Sequence, residues 1–441
     1  MVVCRPFSVG RFTASFILLA LSILGWFYFF DNDSIPGTAV FGSYRDRHFV
    51  LLAVVSYFAA WSVILDRFSI SRSGFFRIVS IHSGLLAVVA LLETFAMVGV
   101  IDFRQFLSEY GAAKHFGRLK PDKRLKWALK PNQVLRGAEC QNLTRFLGAE
   151  SEPIPFEIRT DRFGLRNPGD DEDPDVLVLG DSVVFGGLIR VEDTVPERLE
   201  SILGIRVMNL SEPGYSPQEE LVRLETTGIS TTNRIVLHLI FGGNDLLDSR
   251  HWRAWMQRRL DSEWPSSGLA KNLLGLLHQP RRGVAKRRFG FFTDSLGNEI
   301  KVYFMYDAAG MDSEMGEFTH LESFFLDART KVESGGGKYA IVFVPAKITV
   351  LHRFCRWPEG CELRLPDSSE SLFCAALREF CSGKGIPFRD LTPPLESLAE
   401  KGILPYFPAD THLNAGGHEA VALFLAPWVR ELGDRPTAHG Y

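Results

Sequence analysis

The sequence predicts an α/β domain built on a parallel sheet and preceded by three transmembrane helices. Long apolar segments occupy the first hundred residues, and from residue 175 onward short apolar runs alternate with stretches of helical pattern. A bilayer core needs about 20 apolar residues per helix. Continuous apolar runs are typical of strands that are buried on both faces, as in the parallel sheet of a doubly wound fold.

Three apolar segments predict the membrane helices. Residues 12–30 and 49–65 carry no charged side chain, and residues 78–101 carry one acid, Glu93. The alternative for the first segment is a cleaved signal peptide, but no small-residue cleavage site follows it. In the third segment, His82 and Glu93 return to one helix face at 3.6 residues per turn. We interpret His82 as lying near the membrane interface and Glu93 as packing against a neighbouring helix, rather than as a transport site.

The distribution of basic residues predicts the orientation in the membrane. Arg5 and Arg11 precede the first segment, and the loop between the second and third segments carries three more arginines. The positive-inside rule then places this loop and the N-terminus in the cytoplasm. Basic residues that follow the third segment argue against this orientation, but large domains translocate largely regardless of charge. We therefore expect a multi-pass protein with an extracytoplasmic, periplasmic domain.

Length and composition suggest how the chain is divided. With 441 residues it exceeds one ordinary domain, and its net charge of -3 gives no signal for a nucleic-acid partner. We expect a membrane region at 1–101 in contact with a lipid bilayer, a connecting segment at 102–170 and the α/β domain at 171–430. A long insertion at about 249–335 is rich in arginine and aromatic residues. It is expected either to cap the site and bind anionic glycan or lipid headgroups, or to be a solvated helical excursion.

Five apolar runs predict the strands of the sheet, and four stretches predict helices. The strands are expected at 175–180, 206–210, 234–240, 339–345 and 387–391. The helices are expected from Thr194 onward and at 219–227, 370–381 and 416–429. Thr194 is followed by proline and glutamate, which is typical of a helix N-terminus. Within the insertion, "DSLGNEIKVYF" at 294–304 predicts a hairpin.

Residues that can carry chemistry follow the predicted strands. Ser182 comes directly after the first strand in "GDSVVFG", Gly214 follows the second in "NLSEPG", and Asn244 follows the third in "GGND". Near the C-terminus, Asp410 stands two residues before His412. Ligand sites in open α/β sheets lie outside the carboxyl ends of the strands. A serine nucleophile needs a base, a group that orients the base and donors for an oxyanion.

These blocks, together with "DTHLNAGGH", resemble those of the SGNH hydrolases, also called GDSL esterases or lipases, over about residues 171–430. The resemblance is to membrane-anchored bacterial members, and it implies a flavodoxin-like three-layer α/β/α domain without a metal or cofactor. It implies that Ser182 attacks an ester carbonyl, that His412 is the base and that Asp410 orients it. The N–H groups of Ser182 and Gly214 and the side chain of Asn244 would hold the oxyanion.

One position departs from the common family pattern. The family usually has its acid three residues before the histidine, where this chain has Ala409. The two-residue spacing of Asp410 is similar to some bacterial members. Asp181 and Asp245 are interpreted as groups that fix their turns and not as catalytic residues.

The six cysteines form no metal-binding motif. Cys374 and Cys381 are about 10 Å apart on a predicted helix, which exceeds the reach of a disulfide. Cys355 and Cys361 flank "CRWPEGC" and are expected to pair, the alternative being small buried thiols. "NLT" at 142–144 is a glycosylation sequon if the source is eukaryotic.

The leading functional interpretation is a membrane-anchored serine esterase. Its expected substrate is a small acyl ester, with acetyl as the acyl group and a cell-envelope saccharide as the alcohol; a lipid ester is the competing substrate. Two alternatives use the same domain. One is an O-acyltransferase that passes the acyl group to a sugar hydroxyl, and the other is an inactive domain that binds glycan or a membrane partner.

Overall fold

The structure is a computed structural model that describes residues 3–4, 9–30, 38–69, 71–98, 100–101, 103, 119–120, 124–125, 127–170, 173–258, 268–281, 287–367 and 370–434. The chain divides into two compact units. The helical unit comprises Met1–Gly117 and Glu263–Val284, and the α/β unit comprises Arg118–Ser262 and Ala285–Tyr441. Part of the predicted insertion therefore belongs to the helical unit.

The helical unit contains two helices that are long and apolar enough to cross a membrane. These spans are Asp46–Ile64, with a mean hydropathy of 1.6, and Arg72–Met97, with a mean hydropathy of 2.0. They lie in the helices Asp46–Arg67 and Arg72–Met97. Little of either span is buried inside the protein, so both leave an exposed apolar surface.

The prediction of three transmembrane helices is corrected to two candidate spans. The first helix is Val9–Tyr28, and the apolar stretch found in it is Ile17–Tyr28. Among the described side chains of this helix, that stretch is shorter than a candidate span.

Glu93 and His82 of the third helix each make a hydrogen bond. Glu93 is 5% exposed, and its Oε1 accepts a hydrogen bond of 2.6 Å from the N–H of Ala270. Ala270 lies in the first turn of the helix Leu269–Leu276, so a carboxylate stands at a helix N-terminus. The Nδ1–H of His82 donates to its own helix, at Ile78 O, over 2.7 Å. The packing of Glu93 against a neighbouring helix is thus confirmed, whereas the hydrogen bond of His82 stays within its own helix.

The short strands of the helical unit pair two by two. Val3–Cys4 pairs with Phe68–Ser69, and Thr38–Val40 pairs with His278–Pro280 of the insertion.

A five-stranded parallel sheet forms the centre of the α/β unit. Its strands are β1 (Val176–Leu179), β2 (Val207–Asn209), β3 (Ile235–Phe241), β4 (Lys338–Val344) and β5 (Phe388–Asp390). Their order is β2-β1-β3-β4-β5, and all neighbours run parallel. This is the doubly wound order of flavodoxin-like sheets. All five predicted strands are confirmed to within one residue at each end.

Helices pack on both faces of the sheet. Val176 and Val178 of β1 join one buried cluster with side chains of the helices Val195–Leu203 and Ala415–Asp434. The intervening Leu177 and Leu179 join a second cluster with the helices Pro217–Thr226, Phe318–Ser334 and Leu372–Lys384. Because side chains alternate along a strand, both faces of β1 are buried, as its apolar run predicts.

The four predicted helices are present. They span Val195–Leu203, Pro217–Thr226, Leu372–Lys384 and Ala415–Asp434. The second begins earlier than predicted because Ser216 and Glu219 form a capping box at its N-terminus. The remaining helices of the α/β unit are Asn142–Leu147, Ser182–Phe185, Asp245–Arg258, Ala308–Asp312, Phe318–Ser334, Lys347–Leu351 and Thr392–Glu400.

The segment that precedes the sheet contains a hairpin. Val134–Glu139 pairs antiparallel with Ile154–Arg159, and the helix Asn142–Leu147 lies between the two strands. Leu135 and Ile158 of this hairpin form a buried cluster with Phe185. The hairpin is therefore packed against the helix that follows β1. A short pair, Leu119–Lys120 with Ala128–Leu129, precedes it.

The described part of the insertion contains paired strands and a buried ion pair. A hairpin is present, but only its turn and second strand, Glu299–Tyr303, lie in the predicted stretch, since the first strand is Phe289–Thr293. Cys355–Arg356 adds a third strand. Arg288 is buried against Asp307 at 3.0 Å. Such ion-paired groups stabilise the domain and do not present free charge to a ligand. Arg282 and Lys286 lie outside the described residues.

The predicted Cys355–Cys361 disulfide is wrong. Cys140, Cys355, Cys361, Cys374 and Cys381 are all free thiols. Cys355 is buried in a strand opposite Phe292, and burial raises the pKa of its thiol to about 12. It is therefore a small buried hydrophobe.

Candidate active site

Ser182 begins a single-turn helix directly after β1. Asp181 caps this helix by accepting a 2.9 Å hydrogen bond from the N–H of Val183. A Cβ on Gly180 would lie 2.4 Å from the side chain of Val184, so only glycine permits so tight a turn. The glycine, the acid and the hydroxyl thus form a turn that places Ser182 at the carboxyl edge of the sheet.

Ser182, His412 and Asp410 form a continuous hydrogen-bonded chain. The Oγ of Ser182 lies 2.7 Å from Nε2 of His412. The opposite ring nitrogen, Nδ1, donates a short hydrogen bond to Oδ1 of Asp410. Because a carboxylate can only accept, Nδ1 carries the proton and Nε2 is left to accept from the serine hydroxyl. The structure therefore brings together all three residues that the sequence proposed for the triad.

The two-residue spacing between Asp410 and His412 has a local explanation. The same Oδ1 of Asp410 that meets the ring also accepts the backbone N–H of His412 at 3.0 Å. This compact turn lets an acid two residues before the histidine reach the imidazole. Ala409, at the position that the common family pattern favours, contributes no side-chain acceptor.

Opposing effects set the pKa of Asp410. The side chain is 1% exposed, and burial alone would raise its pKa. The neighbouring His412 and the hydrogen bonds from His412 and from Asn142 N–H, at 2.6 Å, outweigh burial and hold the pKa below its usual value. Asp410 is therefore ionised at neutral pH.

The imidazole of His412 is shifted in the opposite direction. Burial tends to lower its pKa, but the charge and hydrogen bond of Asp410, and the charge of Asp181, raise the pKa above its ordinary value. The side chain keeps 23% of its surface exposed. The site therefore stabilises the imidazolium that forms when the ring takes a proton.

Gln141 and Asn142 fasten the loop that carries Asp410 and were not found from the sequence. Gln141 Oε1 accepts from Ala409 N–H at 2.6 Å. The Asn142 side chain donates to Thr411 Oγ1 at 2.8 Å and accepts from Thr411 N–H at 3.2 Å. The only sequence signal was the "NLT" sequon. Since this amide is already engaged, attachment of a glycan at Nδ2 would break the contact.

Lys347 is a second residue that sequence reasoning missed. Its ammonium group is 4% exposed and donates to the carbonyls of Tyr303, Phe407 and Pro408 at 2.8, 2.8 and 3.2 Å. Burial lowers its pKa to about 7, against the opposing charge of Asp410. Its signal in the sequence is a lysine that directly follows the buried run of β4. Lys347 ties the insertion hairpin to the loop that leads to His412.

Gly214 and Asn244 follow the strands on either side of β1. Gly214 has φ of +73°, and a Cβ there would lie 3.2 Å from the ring of Trp127. The turn before it is held against the first strand by Glu212 N–H, which donates to Gly180 O at 3.2 Å. Because β2 and β3 both neighbour β1, these residues share one sheet edge with Ser182.

The side chain of Asn244 is oriented by a hydrogen bond to Asp248. An amide nitrogen carries two hydrogens, so this bond leaves a second donor for a ligand oxygen. Asp245 has a different role, since its Oδ2 accepts from Phe241 N–H at 2.6 Å. Asp245, like Asp181, therefore fixes its turn as the sequence interpretation expected. Burial also raises the pKa of Asp181, to about 6.

In the described part of the chain, no group of three or more histidine, cysteine or acidic side chains is placed to hold a metal ion. The chemistry that this arrangement supports is that of a hydroxyl with a base and an acid in series.

No protein-family model and no curated protein matches this chain. Among solved structures, Protein YXIM from Bacillus subtilis is 11% identical, with 69% of this chain and 76% of that chain covered and a TM-score of 0.34. Another crystal structure is 14% identical, with 59% of this chain and 97% of that chain covered and a TM-score of 0.31. Similarities this low carry no argument about function.

Proposed function

We propose that this protein is a membrane-anchored serine esterase of the SGNH type. The observation that carries the proposal is the chain from Ser182 through His412 to Asp410, with 2.7 Å between the serine Oγ and the imidazole Nε2. A serine, a base and a buried acid at the carboxyl edge of a parallel sheet are the groups that nucleophilic acyl transfer requires.

In the first half of the reaction, Ser182 attacks the ester carbonyl and His412 takes its proton. Asp410 holds the ring in the required tautomer and stabilises the imidazolium. The oxyanion would receive hydrogen bonds from the N–H groups of Ser182 and Gly214 and from the Asn244 amide. Losing one such donor typically lowers the rate about a hundred- to a thousandfold.

His412 then returns the proton to the leaving alcohol, which leaves an acyl group on Ser182. Water, activated by the same imidazole, releases the acid and restores the serine. If a sugar hydroxyl replaces water, the same residues perform O-acyl transfer. We infer hydrolysis of small acyl esters, acetyl esters first, and treat transfer as an outcome that the assay distinguishes.

The proposed setting is a multi-pass membrane protein whose α/β unit lies outside the cytoplasm. Two apolar helices of 19 and 26 residues support the anchor. Arg67, Arg72 and Arg77 lie between the two spans or at their facing ends, and they support a cytoplasmic connection that leaves the α/β unit on the other side of the membrane. An anchored enzyme meets cell-envelope polymers, which supports an acylated envelope saccharide as substrate.

The test is substitution of the proposed nucleophile in the full chain. Ser182→Ala should abolish hydrolysis of p-nitrophenyl acetate and leave the melting temperature nearly unchanged. Ser201→Ala, at an exposed helical serine, is the matched control and should retain full activity. A Ser182→Ala protein with wild-type turnover would rule out the proposal. Free acetate indicates an esterase, whereas acetyl recovered on an added sugar indicates a transferase.

A further inference from the structure

A cavity of about 980 Å³ lies in the α/β unit. Three segments line it: the hairpin strand Ile154–Arg159, the loop at 188–193 and residues from the segment 403–416. Ligand pockets typically enclose roughly 300–1,000 Å³. This cavity is therefore large enough for a molecule of several rings.

The hairpin wall and the loop wall are both fastened to the helix that Ser182 begins. Phe156 of the hairpin packs on the cluster that contains Phe185, the last residue of that helix. The buried guanidinium of Arg166 donates to Gly186 O and Ile189 O, at 2.6 and 2.7 Å. These contacts fix the loop immediately after the helix.

The third wall belongs to the loop that carries His412. Phe407 and Asn414 line the cavity and flank the histidine in sequence. Phe407 N–H donates to His412 O at 3.1 Å, and Asn414 caps the helix that follows by accepting from Gly417 N–H at 3.0 Å. The loop that carries His412 therefore forms one wall of the cavity, and none of Ser182, Asp410 and His412 is itself a lining residue.

The direction of proton transfer indicates which part of an ester lies on this side. His412 must deliver its proton to the oxygen of the leaving alcohol, so the alcohol has to lie next to the imidazole while the acyl group stays on Ser182. We propose that this cavity is the subsite for the alcohol part of the ester and that it binds a neutral oligosaccharide. This inference rests on the proposed esterase function.

The charge of the walls favours a neutral ligand. Arg190 is ion-paired with Asp193 at 2.9 Å and with Glu192 at 3.1 Å. Arg159 is ion-paired with Glu157 at 2.5 Å. The charged side chains thus offer hydrogen bonds while their charges are balanced within the protein. An anionic glycan would have to compete with these acids for the arginines.

The remaining wall residues suit the apolar faces of sugar rings. Ile154, Phe156, Leu188, Ile403 and Phe407 supply hydrocarbon and aromatic surface. Pockets that combine such surface with a few polar groups use the apolar part for affinity and the polar part for orientation. A fatty chain would use only the apolar part of this lining and none of the polar groups of Arg159 and Arg190.

The experiment compares acetate esters that differ only in the alcohol. Full-length protein in detergent is assayed with ethyl acetate, 6-O-acetyl methyl glucoside and 6-O-acetyl methyl cellotrioside, and loss of each ester is followed. The wild type should show kcat/KM that rises with the number of sugar rings. Ile403→Trp, at a wall position that is 45% exposed, should lower kcat/KM for the cellotrioside about tenfold and leave ethyl acetate within about twofold.

Two matched controls accompany this variant. Leu423→Trp adds the same bulk at a position that is 57% exposed and does not line the cavity. Arg190→Ala should also weaken turnover of the sugar esters. Its control, Arg353→Ala, removes an arginine that is ion-paired with Glu396 on the surface. Both control proteins should retain wild-type kcat/KM for all three esters.

The possible outcomes separate the subsite from the esterase itself. If the wild type is active but Ile403→Trp affects all three esters equally, or none of them, the cavity is not the alcohol subsite. A wild type that prefers esters of long aliphatic alcohols over the sugar esters also overturns the proposal. A wild type that turns over no ester removes the proposed function and the subsite with it.

Discussion

Replacement of Asp410 by asparagine removes one charge from the centre of the proposed site and keeps its shape. In the wild type, Oδ1 accepts both the ring and the backbone N–H of His412, and Oδ2 accepts the N–H of Asn142. An asparagine has one accepting oxygen and one NH₂ group. Whichever way it turns, its NH₂ group faces an N–H donor. The best compromise leaves the imidazole in the wrong tautomer or the Asn142 N–H unsatisfied.

We expect kcat to fall about 10³- to 10⁴-fold, as happens when a triad acid is replaced by its amide. Activity is measured with p-nitrophenyl acetate across pH 5–9, and folding is checked by thermal denaturation. Asp327→Asn, at an exposed helix position, is the control and should behave as wild type. An Asp410→Asn protein that is folded and within about tenfold of wild-type kcat would refute the role assigned to Asp410.

The same substitution has a consequence for acid stability. The pKa of Asp410 is lowered in the folded protein from its usual 3.8. Its contribution to stability is therefore present above pH 3.8 and is lost as the pH falls through the lower, folded-state pKa. The difference in the free energy of unfolding between the wild type and Asp410→Asn should therefore become smaller as the pH falls through that folded-state pKa. Denaturant titration at several pH values measures this difference.

Two further substitutions test the surroundings of the site. Lys347→Met keeps the side-chain length but removes the hydrogen bonds to three backbone carbonyls, so the melting temperature should fall. The charges of Asp410 and Asp181 raise the pKa of His412, and the charge of Lys347 lowers it. The acid limb of the kcat/KM profile should therefore move to higher pH in Lys347→Met. An unchanged acid limb would contradict this electrostatic effect of Lys347. Gly214→Ala forces a side chain into φ of +73° and against Trp127, so kcat should fall at least about tenfold while KM changes little. Wild-type kcat in a folded Gly214→Ala protein would separate this turn from the oxyanion site.

The central sheet was predictable because of its inner strands. The inner strands β1, β3 and β4 appear as nearly continuous apolar runs that are buried on both faces. The edge strand β5, Phe388–Asp390, is half-buried and carries two charged residues. The hairpin at 134–159 lacks such a run, since it lies at the edge of the domain and packs on Phe185 through only a few side chains. A hairpin of this kind is specified by its tertiary contact, which the local pattern does not show.

The triad residues were predictable because Ser182 directly follows β1 and because Asp410 and His412 stand together in the loop before the helix Ala415–Asp434. Their supports were not. Asn142 and Asp410 are 268 residues apart, and the pairing of Lys347 with the carbonyls of Phe407 and Pro408 depends on how two loops meet. The predicted Cys355–Cys361 disulfide is wrong for a similar reason. The spacing of the two cysteines does not show that Cys355 is a buried, free thiol.

The central claim is that Ser182 carries a covalent acyl intermediate. The most direct measurement is peptide mass spectrometry of the full-length protein after treatment with a fluorophosphonate probe, which reacts with a serine that is activated by a neighbouring base. We expect one adduct, on the peptide that contains Ser182, and its loss in His412→Ala. A wild-type protein with no adduct on Ser182, or with its label on another serine, would contradict the account.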